Sequence, residues 1–197
     1  MKKIYFITSN KAKIKSLKEQ LLDKGLNIEV EGKNLNIIEP QADNVKDVSL
    51  IKAKEAFSIL KQPLIVEDGG FEIEALNGFP GVYAKYILKT IGIDGILKLM
   101  KEENNRNCKS VSCTTFVNEK GEIYQFERIG GKGIISEKKS LKHSDFAWSD
   151  FWYVFYIPRF NKTLNEMTKE ELFDLWSNES EKSSITVFIK WLENNKK

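Results

Sequence analysis

The chain has 197 residues, with 31 Lys and Arg against 28 Asp and Glu for a net charge of +3, and 41% of it is hydrophobic; this balance excludes a disordered tail and an assembly of several domains. The two signs of charge are interspersed, too mild a bias to announce a nucleic-acid-binding protein, and anionic small molecules are the partners that fit. No run approaches the roughly 20 apolar residues a membrane span takes, and two cysteines without a secretory signal pattern point to a cytoplasmic protein with no membrane partner.

Residues 4–8 read as a short buried strand, broken at Ser9-Asn10 before Ile14, Leu17, Leu21 and Leu22, which share one helix face. A second helix is expected over about residues 47–60, with Ala53, Ala56, Phe57 and Leu60 as an apolar stripe between Lys52 and Lys54. Pro63 opens another strand, Leu64-Ile65-Val66, expected to end in a turn at Glu67-Asp68-Gly69-Gly70. Ligands of α/β sheets sit at such carboxyl ends. Residues 77–81 read as a loop, followed by helices near 82–89 and 95–102. The period then changes to two: Val111, Cys113, Thr115 and Val117 form a strand face, Glu119-Lys120-Gly121 a hairpin turn, and residues 123–128 the returning strand. Thr168-Lys169-Glu170-Glu171 is a capping box, and Ile185, Phe188, Ile189 and Leu192 line a last helix. The expected fold is mixed α/β, one domain over residues 1–197, with βαβ units first, antiparallel strands in the middle and two lobes about a cleft.

The turn from Thr8 through Ser9, Asn10 and Lys11 to Lys13 places hydroxyls, an amide and two ammonium groups at a helix start, where free N–H groups and the helix dipole favour an anion. It can cradle a triphosphate, or simply cap the helix beneath solvated lysines. Glu67 and Asp68 follow an apolar strand directly, and Glu39 precedes Pro40 in an irregular stretch. With one histidine and two isolated cysteines, a metal has to be held by carboxylates, which suits a hard ion such as Mg²⁺. Lys13, Lys52 and Lys54 would offset the charge of a polyphosphate. Residues 146–156 hold seven aromatic side chains in eleven positions, suited to base stacking in one or two rings and to core packing in the rest. His143 reads as a solvated loop residue.

These motifs resemble one family. Thr8-Ser9-Asn10-x-x-Lys13 is similar to the T-x-N-x-x-K phosphate loop of the inosine/xanthosine triphosphate pyrophosphatases, and Val66-Glu67-Asp68-Gly69-Gly70-Phe71, continued by residues 74–83, resembles their central motif. Phe146-Ala147-Trp148 resembles their F-G-[YW]-D-P segment, and residues 163–171 resemble their T-x-x-E-M-x-x-E-E stretch, so the likeness runs from about residue 3 to 172. It implies a two-lobed fold with an elongated mixed sheet flanked by helices, a nucleotide in a central cleft, a homodimer and Mg²⁺ dependence. The implied reaction is hydrolysis of ITP, dITP or XTP to the monophosphate and pyrophosphate. Residue by residue, it makes Asp68 catalytic and puts Glu39, Glu67 and Asp68 on the metal. Thr8, Ser9, Asn10, Lys13, Lys52 and Gly69 fall at the phosphates, and Phe146, Trp148, Ser149 and Asp150 near the base, with Ser177 and Asn178.

The departures are local. Gly69 replaces a small hydroxyl residue after the aspartate, Ser149 meets the aspartate of F-G-[YW]-D-P, and Leu172 with Trp176-Ser177-Asn178 stands where relatives carry a lysine and a Ser-His-Arg triplet. Loss of cationic donors weakens selection for the O6 acceptor of hypoxanthine and xanthine over the amino group of adenine. Two other readings remain at this stage. One is a nucleotide-binding protein of the same fold with altered base specificity or lost turnover, and the other is single-strand nucleic-acid binding, disfavoured by the modest charge.

Overall fold

A computed structural model describes residues 2–177 and 183–195. Its strands and helices, in chain order, are β1 (Lys3–Ile7), α1 (Lys11–Asp23), β2 (Glu29–Lys33), α2 (Val45–Leu60), β3 (Leu64–Ile73), β4 (Pro80–Gly81), α3 (Ala84–Thr90), α4 (Gly92–Leu99), β5 (Asn107–Val117), β6 (Ile123–Ile135), β7 (Phe155–Ile157), β8 (Lys162–Thr163), α5 (Lys169–Ser177) and α6 (Ser184–Asn194). The strands form one mixed sheet in the order β2-β1-β3-β5-β6-β7-β8, with β4 paired to β3. The expected mixed α/β architecture is what forms, parallel where β1 meets β2 and β3 and antiparallel where β7 meets β6 and β8. Among the described residues no helix is long and apolar enough to cross a membrane.

The chain divides into two compact units. One takes residues 1–69, 112–128 and 183–197, the other residues 70–111 and 129–182. In the first unit β1 carries apolar side chains on both faces, as a strand covered by helices on each side must. Ile4 and Phe6 pack with Leu17 and Leu21 of α1 and with Phe188 of α6. Tyr5 and Ile7 pack with Ala53 and Ala56 of α2. Each helix starts where its cap dictates. The Asn10 side chain accepts from the N–H groups of Ala12 and Lys13 at 2.9 and 3.3 Å, and Asn44 accepts from Asp47 N–H at 2.9 Å while its amide donates back to the Asp47 carboxylate at 2.9 Å. Ser49 of α2 bonds Thr115 of β5 at 2.7 Å, a buried hydroxyl pair that fixes α2 on the sheet.

In the second unit the core gathers α4, the start of β5, the end of β6 and the aromatic stretch. Phe71 stacks on Phe151 with centroids 4.2 Å apart and meets Phe155 edge-on at 5.2 Å. Phe151, Trp152 and Phe155 are buried, Tyr153 and Tyr156 half-buried and Phe146 and Trp148 exposed, so three of the seven rings in that run are core. The Thr168 box forms, with Thr168 N–H donating to Glu171 at 2.8 Å and Glu171 N–H to the Thr168 hydroxyl at 3.3 Å. A similar clasp lies just upstream, where the Glu166 carboxylate accepts from the Thr163 N–H at 2.8 Å and the Thr163 hydroxyl at 2.9 Å. Those bonds, the backbone one foremost, hold the Glu166 carboxyl below its ordinary value. Its stabilising effect is therefore full above the unfolded-state value of about 4.3 and fades as pH falls through the lower folded-state value. Glu166→Ala is expected to cost about 1 kcal/mol at neutral pH in urea denaturation. The gap from the parent should close in acid, and a gap that persists there would assign the effect to lost packing instead.

Two expectations need correction. The segment Glu67-Asp68-Gly69-Gly70 is not a turn: β3 runs unbroken from Leu64 to Ile73. Its second glycine is required by proximity, because a Cβ on Gly70 would lie 2.9 Å from the carbonyl oxygen of Gly81 on β4. The helix expected near residues 95–102 begins at Gly92 and ends at Leu99. The short strand β2 was not anticipated at all.

Candidate functional site

The first unit brings together residues from four separate stretches of chain. Phe6 pairs with Ile65 across the parallel strands β1 and β3, and continuing that register carries Thr8 level with Glu67. The phosphate-loop candidate thus sits at the carboxyl end of β1, level with the acidic pair in the middle of β3. Within the loop, Thr8 accepts from Asn10 N–H at 3.1 Å, so Thr8 and Asn10 together shape the entry to α1, and Ser9 is exposed between them. Asn10 acts as a cap here, and Lys13 reaches from the first turn of α1 to Glu67.

Consecutive residues on a strand face opposite ways, and Glu67 and Asp68 find different cations. Glu67 lies 3.0 Å from the Lys13 ammonium, and Asp68 lies 2.9 Å from that of Lys52. Lys52 also bonds Glu39 at 3.0 Å, so a single nitrogen from α2 holds two carboxylates that are far apart in sequence. The Lys52 and Asp68 side chains are only 17% and 18% exposed, so this contact is poorly screened by solvent. Burial pushes the Asp68 carboxyl above its ordinary value, the Glu39 charge adds to the rise, and the Lys52 and Lys13 ammoniums oppose it. For Lys52 burial works against the charge, but Asp68 and Glu39 outweigh it and raise the ammonium above the usual lysine value.

Two ammonium groups against three carboxylates leave this cluster with one negative charge. Such a cluster repels a polyphosphate until a cation is added, and a divalent ion reverses its sign. Among the described residues no three His, Cys, Asp or Glu side chains form a ready metal centre. Glu39 and Asp68 nevertheless fit a hard divalent ion: both are oxygen donors, and both already converge on one cation, the Lys52 ammonium. One or two carboxylates completed by water and substrate phosphates is the common way of holding Mg²⁺. Glu67, expected in the same set, is turned to Lys13. Gly69 is exposed in β3 and brings no side chain.

The remaining candidates belong to the second unit. Phe146 and Trp148 are exposed, Ser149 accepts from the Phe151 N–H at 3.3 Å, and Asp150 is exposed at the start of the following helical turn. The Ser177 hydroxyl donates to the Phe173 carbonyl one helical turn back at 2.7 Å. Asn178 lies outside the described residues. Sequence reading missed Trp176, whose ring contacts Trp152 at 5.8 Å between centroids. It also missed that Lys52 joins two acids, although the lysine itself was singled out. His143 is an exposed loop residue, as expected, and its ring Nδ1 hydrogen-bonds the Tyr153 hydroxyl at 2.9 Å.

The Ham1 family matches residues 4–174. A dITP/XTP pyrophosphatase of Ignicoccus hospitalis is 38% identical over 124 residues, 62% of this chain and 64% of that protein, so the match spans just under two thirds of that relative. A dITP/XTP pyrophosphatase of Pyrococcus horikoshii is 35% identical over 201 residues, 99% of each chain. The solved Ham1 protein of Staphylococcus aureus superposes with a TM-score of 0.81 at 22% identity, covering 99% of this chain and 100% of that one, a likeness of fold.

Proposed function

Because this chain belongs to the Ham1 family, matched over residues 4–174, we propose that it is a nucleoside triphosphate pyrophosphatase acting on non-canonical purine nucleotides such as ITP, dITP and XTP. Relatives bearing the name dITP/XTP pyrophosphatase support the substrate class. The observation that carries the chemistry is the Lys52 ammonium shared by Glu39 and Asp68 beside the Lys13–Glu67 pair. We read residues 1–197 as one catalytic domain. Mg²⁺ dependence, a homodimer and a cytoplasmic location are part of the same reading and rest on the family resemblance.

In this mechanism water attacks the α-phosphorus, the bond from that phosphorus to the α–β bridging oxygen breaks, and pyrophosphate leaves. Asp68 accepts the proton of the attacking water. A carboxylate whose proton affinity is raised by burial is a better base than one in free solution. Lys13, at the first turn of α1, donates to the phosphate chain, where the helix dipole adds to its charge. Lys52 exchanges its carboxylate contacts for phosphate oxygens when the nucleotide arrives. Glu39 and Asp68 would hold Mg²⁺, which when bound supplies positive charge to the phosphate oxygens and the leaving group. Positioning and electrostatics together can supply much of the roughly 8 to 23 kcal/mol by which enzymes lower barriers.

The test is a panel of canonical and deaminated triphosphates assayed for pyrophosphate. Pyrophosphate, with the monophosphate in equal amount, is the expected product. Orthophosphate alone would refute the proposed cleavage position, and tight nucleotide binding without pyrophosphate would replace the enzyme by a nucleotide-binding protein. Within that panel the ratio of kcat/KM for ITP over ATP is expected to stay below about 200, the range that shape differences alone provide. A ratio of 10⁴ or more would mean that paired polar groups read the base edge.

A further inference from the structure

One turn before Lys52, α2 is tied to the sheet by a closed set of side-chain hydrogen bonds. Ser49 and Thr115 are both fully buried, and their hydroxyls meet at 2.7 Å. The Ser49 hydroxyl also donates to the Lys46 carbonyl at 3.1 Å. The Gln125 amide nitrogen donates to the same carbonyl at 3.0 Å and to the Thr115 hydroxyl at 3.1 Å. A carbonyl only accepts and an NH2 group only donates, so the protons run in one sense, from Gln125 to Thr115, from Thr115 to Ser49 and from Ser49 to Lys46. The second amide proton of Gln125 closes the ring. These four bonds join the start of α2 to β5 and β6, and every member lies in the same compact unit as Lys52, Glu39 and Asp68. Beyond the ring the contact is apolar, with Ala53 and Ala56 against Leu64 and Val66. Apolar contact is non-directional, and two methyl groups offer no ridge to stop a helix sliding. The ring therefore sets how far along the sheet α2 sits and how it is rotated.

We infer that Gln125, Thr115 and Ser49 are positioning residues that hold the Lys52 ammonium where the phosphates of the substrate arrive. The inference rests on the proposed nucleotide chemistry and names how its cation is placed. Ser49 and Lys52 are three residues apart, neighbours on the helix surface about 4.5 Å along its axis. In the free protein two carboxylates, at 3.0 and 2.9 Å, hold the Lys52 nitrogen. When Lys52 exchanges them for phosphate oxygens, the fixed end of its side chain is its Cα, and α2 decides where that lies. Thr115 stands on β5, which neighbours β3, the strand that carries Asp68. The ring thus fixes Lys52 relative to the strand beside its own acidic partner. Removing one hydroxyl from a buried network leaves its neighbours unpaired and frees the helix to shift until they find other partners.

The experiment pairs Thr115→Val, which keeps the shape and deletes the hydroxyl, with Thr115→Ser, which keeps the hydroxyl. Each is made in the parent and in Lys52→Met, and the readouts are kcat/KM for ITP and the calorimetric Kd of inorganic pyrophosphate with Mg²⁺. A misplacement of 1 Å can cost about 100-fold; with the alanine contact intact, Thr115→Val is expected to weaken both quantities about tenfold. In the Lys52→Met background the same change should move the pyrophosphate Kd by less than about twofold, because the group it acts through is gone. Thr115→Ser should stay close to the parent. Should Thr115→Val not fold, Gln125→Met, at a half-buried position that donates two of the four bonds, is read in the same way. Equal loss of pyrophosphate affinity with and without Lys52 would overturn the inference and make the ring a brace of the fold. So would an unchanged Kd in Thr115→Val, or a Thr115→Ser variant as weak as Thr115→Val, which would assign the effect to the methyl group. If no triphosphate yields pyrophosphate but the Kd values follow the expected pattern, the enzymatic reading fails and the positioning stands. If ITP is cleaved while the Kd is indifferent to Thr115, the positioning fails and the enzyme stands.

Discussion

Asp68→Asn is expected to lower pyrophosphate release from ITP by about two to four orders of magnitude, the range that a positioned general acid or base contributes. The change keeps the shape of the side chain and removes the charge, so under the proposed mechanism it deprives water of its proton acceptor and the proposed cation site of one of its two converging carboxylates. The effect should fall on kcat, because Lys13 remains at the first turn of α1 and Lys52 remains on α2 to meet the phosphates. Folding should survive. The Asp68 carboxyl is already pushed toward its neutral form by burial, and a neutral amide in its place relieves that strain while Lys52 keeps Glu39 as a partner at 3.0 Å. The measurement is a pyrophosphate assay at saturating ITP with a melting curve on the same preparation. Undiminished release by a folded variant would remove Asp68 from the chemistry and shift attention to Glu67.

How far this site was legible in the sequence depends on which physical signal each part leaves. β1 and the start of β3 were readable because helices cover both of their faces, which writes a continuous apolar run. β2 was not, since Glu29, Glu31 and Lys33 alternate along an edge strand whose two acids pair with Lys3 of the neighbouring strand instead of filling a core. The supposed turn at Gly69-Gly70 failed for a different reason. Gly70 is there to let the Gly81 carbonyl approach, and close approach looks the same in sequence as conformational freedom. The acids and lysines of the first unit were individually visible as motif residues, whereas their pairing was not. Strand alternation separates Glu67 from Asp68, and the reach of a lysine on α2 joins Asp68 to Glu39. Trp176 was missed because its partner is Trp152, a contact between α5 and a short 3₁₀ turn that no periodicity encodes.

The pairing of those charges leads to the second large expected effect. Lys52→Met keeps the aliphatic length of the side chain and deletes the one nitrogen that two carboxylates share. Asp68, mostly buried, is then left facing Glu39 without its compensating ammonium, and removing one member of such a set costs more than the set itself contributes. The side chains are only partly buried, so the expected loss without divalent ions is about 1 to 3 kcal/mol, or roughly 3 to 10 °C in Tm for a chain of this size. Millimolar Mg²⁺ should then raise the Tm of the variant more than that of the parent, because a divalent ion entering between Glu39 and Asp68 displaces nothing in the variant and an ammonium in the parent. Thermal melts with EDTA and with Mg²⁺ give the four values needed. A variant as stable as its parent in EDTA would mean that the Lys52 contacts are solvent-screened and structurally idle. Equal Mg²⁺ responses would mean that the ion binds away from this pair of carboxylates, and the assignment of Glu39 and Asp68 as its ligands would fall even if turnover were lost.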